Sequence, residues 1–292
     1  MTLSELYQKV RRSLMEKEDA ESAAFIARQL LCKVTAKTKE QFLADRQMYV
    51  SDDALATAEQ LVKRILADEP LAYVLGEWDF YGMTLHVDKN VLIPRDDTCA
   101  VTALAIQQAM FLDESPRILD LCTGSGCIGL AIANRVKDAR VTLADISKDA
   151  LAVAKKNITA QKLSGRVACM QVDALAEPKA FLGKYDLIVS NPPYITTQEM
   201  LELPASVKDY EPHLALHGGG DGLDFYRAIA ANFRKALKPG GYLCFEFGMG
   251  QGDDVCAILE NNGYTVLERS RDYNDRERAV IARLRKEDQN GN

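Results

Sequence analysis

The chain has 292 residues, 47% of them hydrophobic and 27% charged, and a formal net charge of −6. That length accommodates one large domain beside a small one, and the acidic balance argues against tight, phosphate-driven binding to nucleic acid. No apolar stretch approaches the roughly 20 residues that span a bilayer, so no membrane anchor is expected.

Met1-Thr-Leu-Ser-Glu-Leu6 lacks the basic and apolar regions of a secretory signal, which sets the expectation of a cytoplasmic protein. From residue 3 to 69 the pattern is helical. Apolar positions recur at helical spacing in Leu3, Leu6, Tyr7, Val10 and Leu14, again around Ala23, Ala27 and Leu30, and finally in Leu55, Ala58, Leu61 and Ile65. Ser51 opens the last of these as a cap. With no glycine before Gly76, the region reads as a bundle of four or five short helices that Pro70 ends. Gly76 to Asp88, rich in aromatic and β-branched residues, reads as a hairpin linking two domains.

After residue 116 strands alternate with helices. The strand-like runs are Arg117–Leu121, Val141–Ala144, Val167–Val172, Leu187–Val189 and Tyr242–Phe247. This alternation predicts an α/β fold with a doubly wound, mostly parallel sheet. Lys238-Pro-Gly-Gly241 reads as a helix stop before the fifth strand. Tyr264–Glu268 and Ala279–Arg283 are joined by a short polar link, which predicts an antiparallel pair. The polar end after Lys286 is expected to fray. The seven cysteines are scattered without Cys-x-x-Cys, the pattern of buried reduced thiols rather than disulfides or a metal site. His213 and His217 lack a third ligand and read as a surface loop, so no metal is expected.

Two segments carry chemistry. Asp120-Leu-Cys-Thr-Gly-Ser-Gly126 follows a strand and opens a helix. Gly124 and Gly126 permit a tight turn beside a ligand, and Gly129 lets helix and strand approach closely. Asp145 ends the second strand, placed for ribose hydroxyls; Asp173 ends the third, placed for an adenine amino group. The glycine spacing also matches a dinucleotide fingerprint. Against that, the Asp120 carboxylate repels a pyrophosphate and suits a cationic nucleoside such as S-adenosylmethionine. Asn191-Pro-Pro-Tyr194 follows Tyr185–Ser190. The two prolines forbid the ladder from continuing, leaving a carboxamide, carbonyls and a ring at the carboxyl edge of a strand, where α/β sheets bind ligands. Such a site suits a neutral planar amide or amine.

In that order, the 120–126 loop, Asp145, Asp173 and Asn191–Tyr194 resemble a class I S-adenosylmethionine-dependent methyltransferase. Pro70–Gly82, Val91-Leu-Ile-Pro-Arg-Asp-Asp-Thr98, Tyr210-Glu-Pro-His-Leu-Ala-Leu216, Gly219-Gly-Asp-Gly-Leu223 and Arg271–Arg278 narrow the resemblance to the peptide chain release factor glutamine N5-methyltransferase family, over nearly the whole chain. Cys122 and Cys99 depart from it, standing where Gly and Glu are expected.

The resemblance implies a seven-stranded Rossmann-like sheet with a small N-terminal bundle. It implies domains at 1–72 (bundle, gripping the protein substrate), 73–98 (hairpin connector) and 99–286 (methyltransferase). The expected substrate is the Gln of the Gly-Gly-Gln motif of a release factor, with no direct nucleic acid contact and a monomeric enzyme. S-adenosylmethionine is expected on Cys122, Thr123, Gly124, Ser125, Gly126, Asp145, Asp173 and Asn191. Asn191, Pro192 and Tyr194 are the expected catalytic residues, and these with Pro193 the substrate-binding ones. The Asn191 side-chain oxygen and the Pro192 carbonyl each accept one N–H of the target amide while Tyr194 packs on its plane. Arg95 either contacts the cofactor carboxylate or caps the connector. The long segment from Ile195 to Gly222 is expected to contact substrate, and Glu246 reads as a satisfied buried carboxylate. Methylation of a different glutamine, as on a ribosomal protein, methylation of adenine N6 in RNA or DNA, and a non-catalytic binding role are the alternatives.

Overall fold

In the computed structural model, which describes residues 1–112 and 115–286, the chain forms two compact units. One comprises Met1–Glu77 with Pro204–Tyr210, the other the rest from Trp78. The frayed end expected after Lys286 lies outside the described residues.

The first unit is helical: α1 (Leu3–Leu14), α2 (Ala20–Thr35), α3 (Lys39–Ala44), α4 (Asp52–Leu66) and α5 (Leu71–Leu75). Each of the first four begins at a side chain that accepts an orphan N–H. Thr2 and Thr38 do so in capping boxes with Glu5 and Gln41, and Asp19 and Ser51 do so alone. Leu3, Leu6, Val10 and Leu14 form one buried stripe of α1, each worth roughly 1.5–3 kcal/mol of transfer free energy. Pro70 does not end the helical region. It stands at the N-cap of α5, where its missing N–H costs nothing.

From the unit boundary at Glu77 on come β1 (Glu77–Phe80) and β2 (Met83–His86), a hairpin turning on Tyr81 and Gly82, both at positive φ. There follow α6 (Cys99–Met110), β3 (Arg117–Leu121), α7 (Cys127–Arg135), β4 (Arg140–Asp145), α8 (Lys148–Ala160), β5 (Val167–Gln171) and β6 (Tyr185–Ser190). The short α9 (Glu199–Glu202) and α10 (Ala205–Lys208, in the first unit) precede α11 (Asp224–Asn232), β7 (Leu237–Glu246), α12 (Gly252–Asn261), β8 (Tyr264–Arg271) and β9 (Glu277–Leu284).

The seven strands order as β5-β4-β3-β6-β7-β9-β8. All pairs from β5 to β7 are parallel, and β9 runs antiparallel to both β7 and β8. Alternate residues serve opposite faces. Ile118, Val141, Leu143, Leu187 and Val189 pack with α6, α7 and α8 residues, whereas Leu119, Leu121, Ile188, Leu243 and Phe245 pack with those of α11 and α12. Lys238–Gly241 belongs to β7 itself rather than to a stop before it. Between the pairs Tyr185–Leu237 and Leu187–Tyr242 the register shifts by three residues, and this bulge holds Gly240 at φ 73. All seven cysteines are unpaired, with Cys127 and Cys244 buried.

Candidate active site

The strand order reverses between β3 and β6, so the loops that follow these strands part and leave a crevice at the carboxyl edge of the sheet. Leu121 is in register with Ser190, whose hydroxyl donates to the Leu121 carbonyl at 2.6 Å. Cys122 and Asn191 therefore start side by side.

The glycine loop is tied to β4. Thr123 N–H donates to the Ala144 carbonyl at 3.0 Å, and Gly124 N–H to Asp145 Oδ2 at 2.9 Å. Asp145 Oδ1 accepts from Ser147 N–H at 2.9 Å. Each oxygen thus keeps unused acceptor capacity. Burial pushes the Asp145 carboxyl up, opposed by these backbone bonds.

Asp120 departs from its expected role. It is fully buried and does not line the crevice. Its Oδ2 takes the Thr123 hydroxyl at 2.6 Å and Gly129 N–H at 2.9 Å, bracing the loop on α7. Its Oδ1 has no partner, and burial lifts the carboxyl to about 7. This brace needs Gly129, since a Cβ there would lie 2.3 Å from the Leu143 side chain. Cys122, standing where glycine was expected, sits at φ 60, a left-handed conformation costing a non-glycine residue on the order of 1–2 kcal/mol.

A cavity of about 290 Å³ fills the crevice, and Cys122, Thr123, Gly124, Ser125, Asp145, Asp173 and Asn191 all border it. Gly126 does not; at φ 87 it forms the N-cap of α7. Asp173 lies two residues beyond β5, exposed, with Oδ1 accepting Leu175 N–H at 2.9 Å. The strand ends one residue earlier than expected, its last ladder bond running from Val172 N–H to the Asp145 carbonyl.

Pro193 borders the cavity beside Asn191, but Pro192 and Tyr194 do not. Pro192 is buried, and Tyr194 is half-buried against the α11 and α12 core. The Tyr194 carbonyl accepts Gln251 Nε2 at 3.1 Å, which holds the residue on that side, and burial raises its phenol. Gly222 lies so close that a Cβ there would meet the Tyr194 carbonyl oxygen at 2.3 Å.

Other wall residues escaped the sequence reading: Thr98, Ile146, Leu175 and Phe225, which with Val91 and Leu214 give an apolar lining. Asn157 escaped it too. Fully buried on α8, it accepts His86 N–H at 2.6 Å and donates to the His86 and Ser125 carbonyls at 3.0 and 2.9 Å. It thereby fixes the hairpin end to the glycine loop. Arg95 pairs with the buried carboxylate of Glu211, which also accepts Ile93 N–H at 3.2 Å. The segment from Ile195 to Gly222 is ordered by this pair and by the parallel bridge Ile195–His217, and its Pro212, Leu214 and Ala215 reach the cavity. Glu246 is buried but unsatisfied at Oε2.

A doubly wound sheet with one antiparallel intruding strand, and a nucleoside-sized crevice at its switch point, define a class I methyltransferase. Residues 97–206 match the model of the methyltransferase small domain, and residues 5–76 that of the PrmC N-terminal domain. The release factor glutamine methyltransferase of Clostridium acetobutylicum is 39% identical over 253 residues, spanning 87% of this chain and 88% of that one. That of Bacteroides thetaiotaomicron is 32% identical over 274 residues, spanning 94% and 97%. The chain belongs to the release factor glutamine methyltransferase family. A methyltransferase structure from Pyrococcus furiosus shares the fold, with a TM-score of 0.51 at 17% identity over 76% of this chain and 97% of that one.

Proposed function

We propose that this protein methylates the side-chain amide nitrogen of the Gln in the Gly-Gly-Gln motif of a peptide chain release factor, using S-adenosylmethionine. The observation that carries this reading is Asn191, a neutral carboxamide at the mouth of a nucleoside-sized cavity, beside the loop that borders it. The relatives named above support the substrate class.

The wall chemistry fits the cofactor. Asp145 has acceptor capacity for a ribose diol, and Ile146 and Leu175 offer apolar surface to a base. Asp173 takes the adenine amino group, and the backbone of Cys122, Thr123, Gly124 and Ser125 holds the amino-acid end, with Gly126 shaping the turn behind them. Arg95, the cation on the wall, is already engaged by Glu211, which disfavours a pyrophosphate. When bound, S-adenosylmethionine supplies an activated methyl group.

The chain's task is to present the nucleophile. An amide nitrogen's lone pair is delocalised into its carbonyl. Asn191 Oδ1 and the Pro192 carbonyl each accept one N–H of the target amide, fixing its position and favouring positive charge on nitrogen. Pro192 and Pro193 stiffen the segment, and Tyr194 supports the amide plane from its packed position. The 1–72 bundle grips the release factor. On this reading the enzyme works as a monomer in the cytoplasm, where translation terminates.

The deciding experiment is methyl transfer from labelled S-adenosylmethionine to a purified release factor, beside its Gly-Gly-Glu variant and bulk RNA. Label on the wild-type factor alone supports the reading. Label on RNA points to adenine N6, and equal label on both factors to another protein residue.

A further inference from the structure

Glu246, the last residue of β7, is 1% exposed, and its Oε2 has no hydrogen-bond partner. β6 and β7 are in register at Ser190 and Phe245, so Asn191 follows beside Glu246, and the Thr98 and Asn191 side chains both act on its carboxyl. Asn191 Nδ2 also donates to Thr98 Oγ1 at 3.3 Å. Thr98 is itself buried, so the hydroxyl that takes the Asn191 amide is a fixed group of the fold. A carboxamide carries its donors and its acceptor on opposite prongs. A partner that accepts from Asn191 therefore turns the NH₂ prong inward and leaves Oδ1 for the cavity that Asn191 borders.

We propose that Glu246 is a positioning residue, which together with Thr98 holds the Asn191 amino group inward so that Asn191 Oδ1 faces the substrate amide. The inference deepens the proposed amide methylation and rests on it for its kinetic consequences.

The device depends on charge. As a carboxylate, Glu246 only accepts; once protonated it becomes a donor and favours the reversed amide. Burial raises its carboxyl to about 7, against the Thr98 side chain, the Arg278 charge and the Asn191 side chain, with Asp97 adding to the rise. Cys99, Cys127, Tyr194 and Tyr226 are the other titratable groups that feel it. Arg278 is held by Asp97 at 3.0 Å and by Asp272 at 3.3 Å. The productive amide orientation is thus kept above the Glu246 midpoint and released below it.

The test follows the Asn191 side-chain amide signals of ¹⁵N-labelled protein, assigned through Asn191→Ala, between about pH 5.5 and 8.5. Steady-state kinetics and cofactor calorimetry are run on the full chain with Glu246→Gln and Glu246→Leu. The wild-type signals are expected to titrate with a midpoint near that of Glu246, and kcat to rise with the same midpoint. Glu246→Gln, which keeps an acceptor, lowers kcat by less than about tenfold and abolishes both titrations. Glu246→Leu lowers kcat about a hundredfold while KM and cofactor affinity stay within about twofold.

Amide signals indifferent to pH, a titration that survives Glu246→Gln, or wild-type kcat in Glu246→Leu would each overturn the proposal. Should Glu246→Leu fail to bind cofactor, the Glu246→Gln titration decides. The amide signals report orientation without turnover, so a wrong substrate assignment silences the assay and leaves this readout standing.

Discussion

Asp145 Oδ2 accepts the backbone N–H of Gly124 at 2.9 Å, so the tip of β4 and the glycine loop after β3 are one unit. Its Oδ1 takes Ser147 N–H, which ties the start of α8 to the same carboxyl. Losing this group removes the ribose acceptor and frees the loop. Asp145→Ala is expected to weaken S-adenosylmethionine binding by at least about tenfold, the cost of one hydrogen bond to a charged group. Titration calorimetry checks this, and unchanged affinity refutes the ribose assignment.

Asn191 sits on the wall without being part of the glycine loop. Asn191→Ala should accordingly lower kcat by about a hundredfold or more, the scale of losing one preorganised group that acts on developing charge. Cofactor affinity changes little by comparison. Wild-type turnover in single-cycle assays with labelled cofactor dismisses the proposed amide clamp.

Asp120 predicts an unusual pH dependence of stability. Its folded value, raised by burial from 3.8 to about 7, means that the folded chain binds this proton more tightly than the unfolded chain. The associated stability is complete below the unfolded value and is lost as pH climbs through the folded one. The loss between about pH 4 and 7 is on the order of 4 kcal/mol. Asp120→Asn keeps an acceptor for Thr123 and Gly129 and carries no charge, so it should flatten the profile in that window. Urea denaturation across the range measures it, and an unaltered slope places the titration elsewhere.

Gly222 has φ 75, and a Cβ on it would lie 2.3 Å from the Tyr194 carbonyl oxygen. Gly222→Ala combines a left-handed alanine with a steric clash, together about 2–4 kcal/mol. The strain falls on the carbonyl that Gln251 anchors. Thermal unfolding should drop by several degrees and kcat should fall, with cofactor affinity retained. A variant as stable and active as wild type shows that the segment ahead of α11 yields freely.

Much of this was legible from residue order. Leu187–Val189 bounded by prolines is a buried strand with a stiff exit wherever it lies, and a glycine loop between strand and helix opens toward the strand tips in any doubly wound sheet. Local signals failed where tertiary contacts overrode them. Pro70 reads as an end by propensity, yet the bundle continues into α5 because an N-cap needs no N–H. Lys238-Pro-Gly-Gly241 reads as a breaker, yet the β6 pairs of Leu237 and Tyr242 on either side hold it inside β7 as a bulge.

The sequence by itself determined the alternation of strands and helices, the antiparallel final pair, and the loops that reach the carboxyl edge, because these follow from hydrophobic period and from backbone limits set by Gly and Pro. Only the tertiary structure decided which polar groups meet beneath that edge. Ile93 and Glu211 are 118 residues apart, Asn191 and Thr98 93, Asn157 and His86 71. No local spacing encodes such pairs. They exist because the strand order carries distant segments to one place, where a buried polar group must find a partner or remain, like Glu246 Oε2, without one.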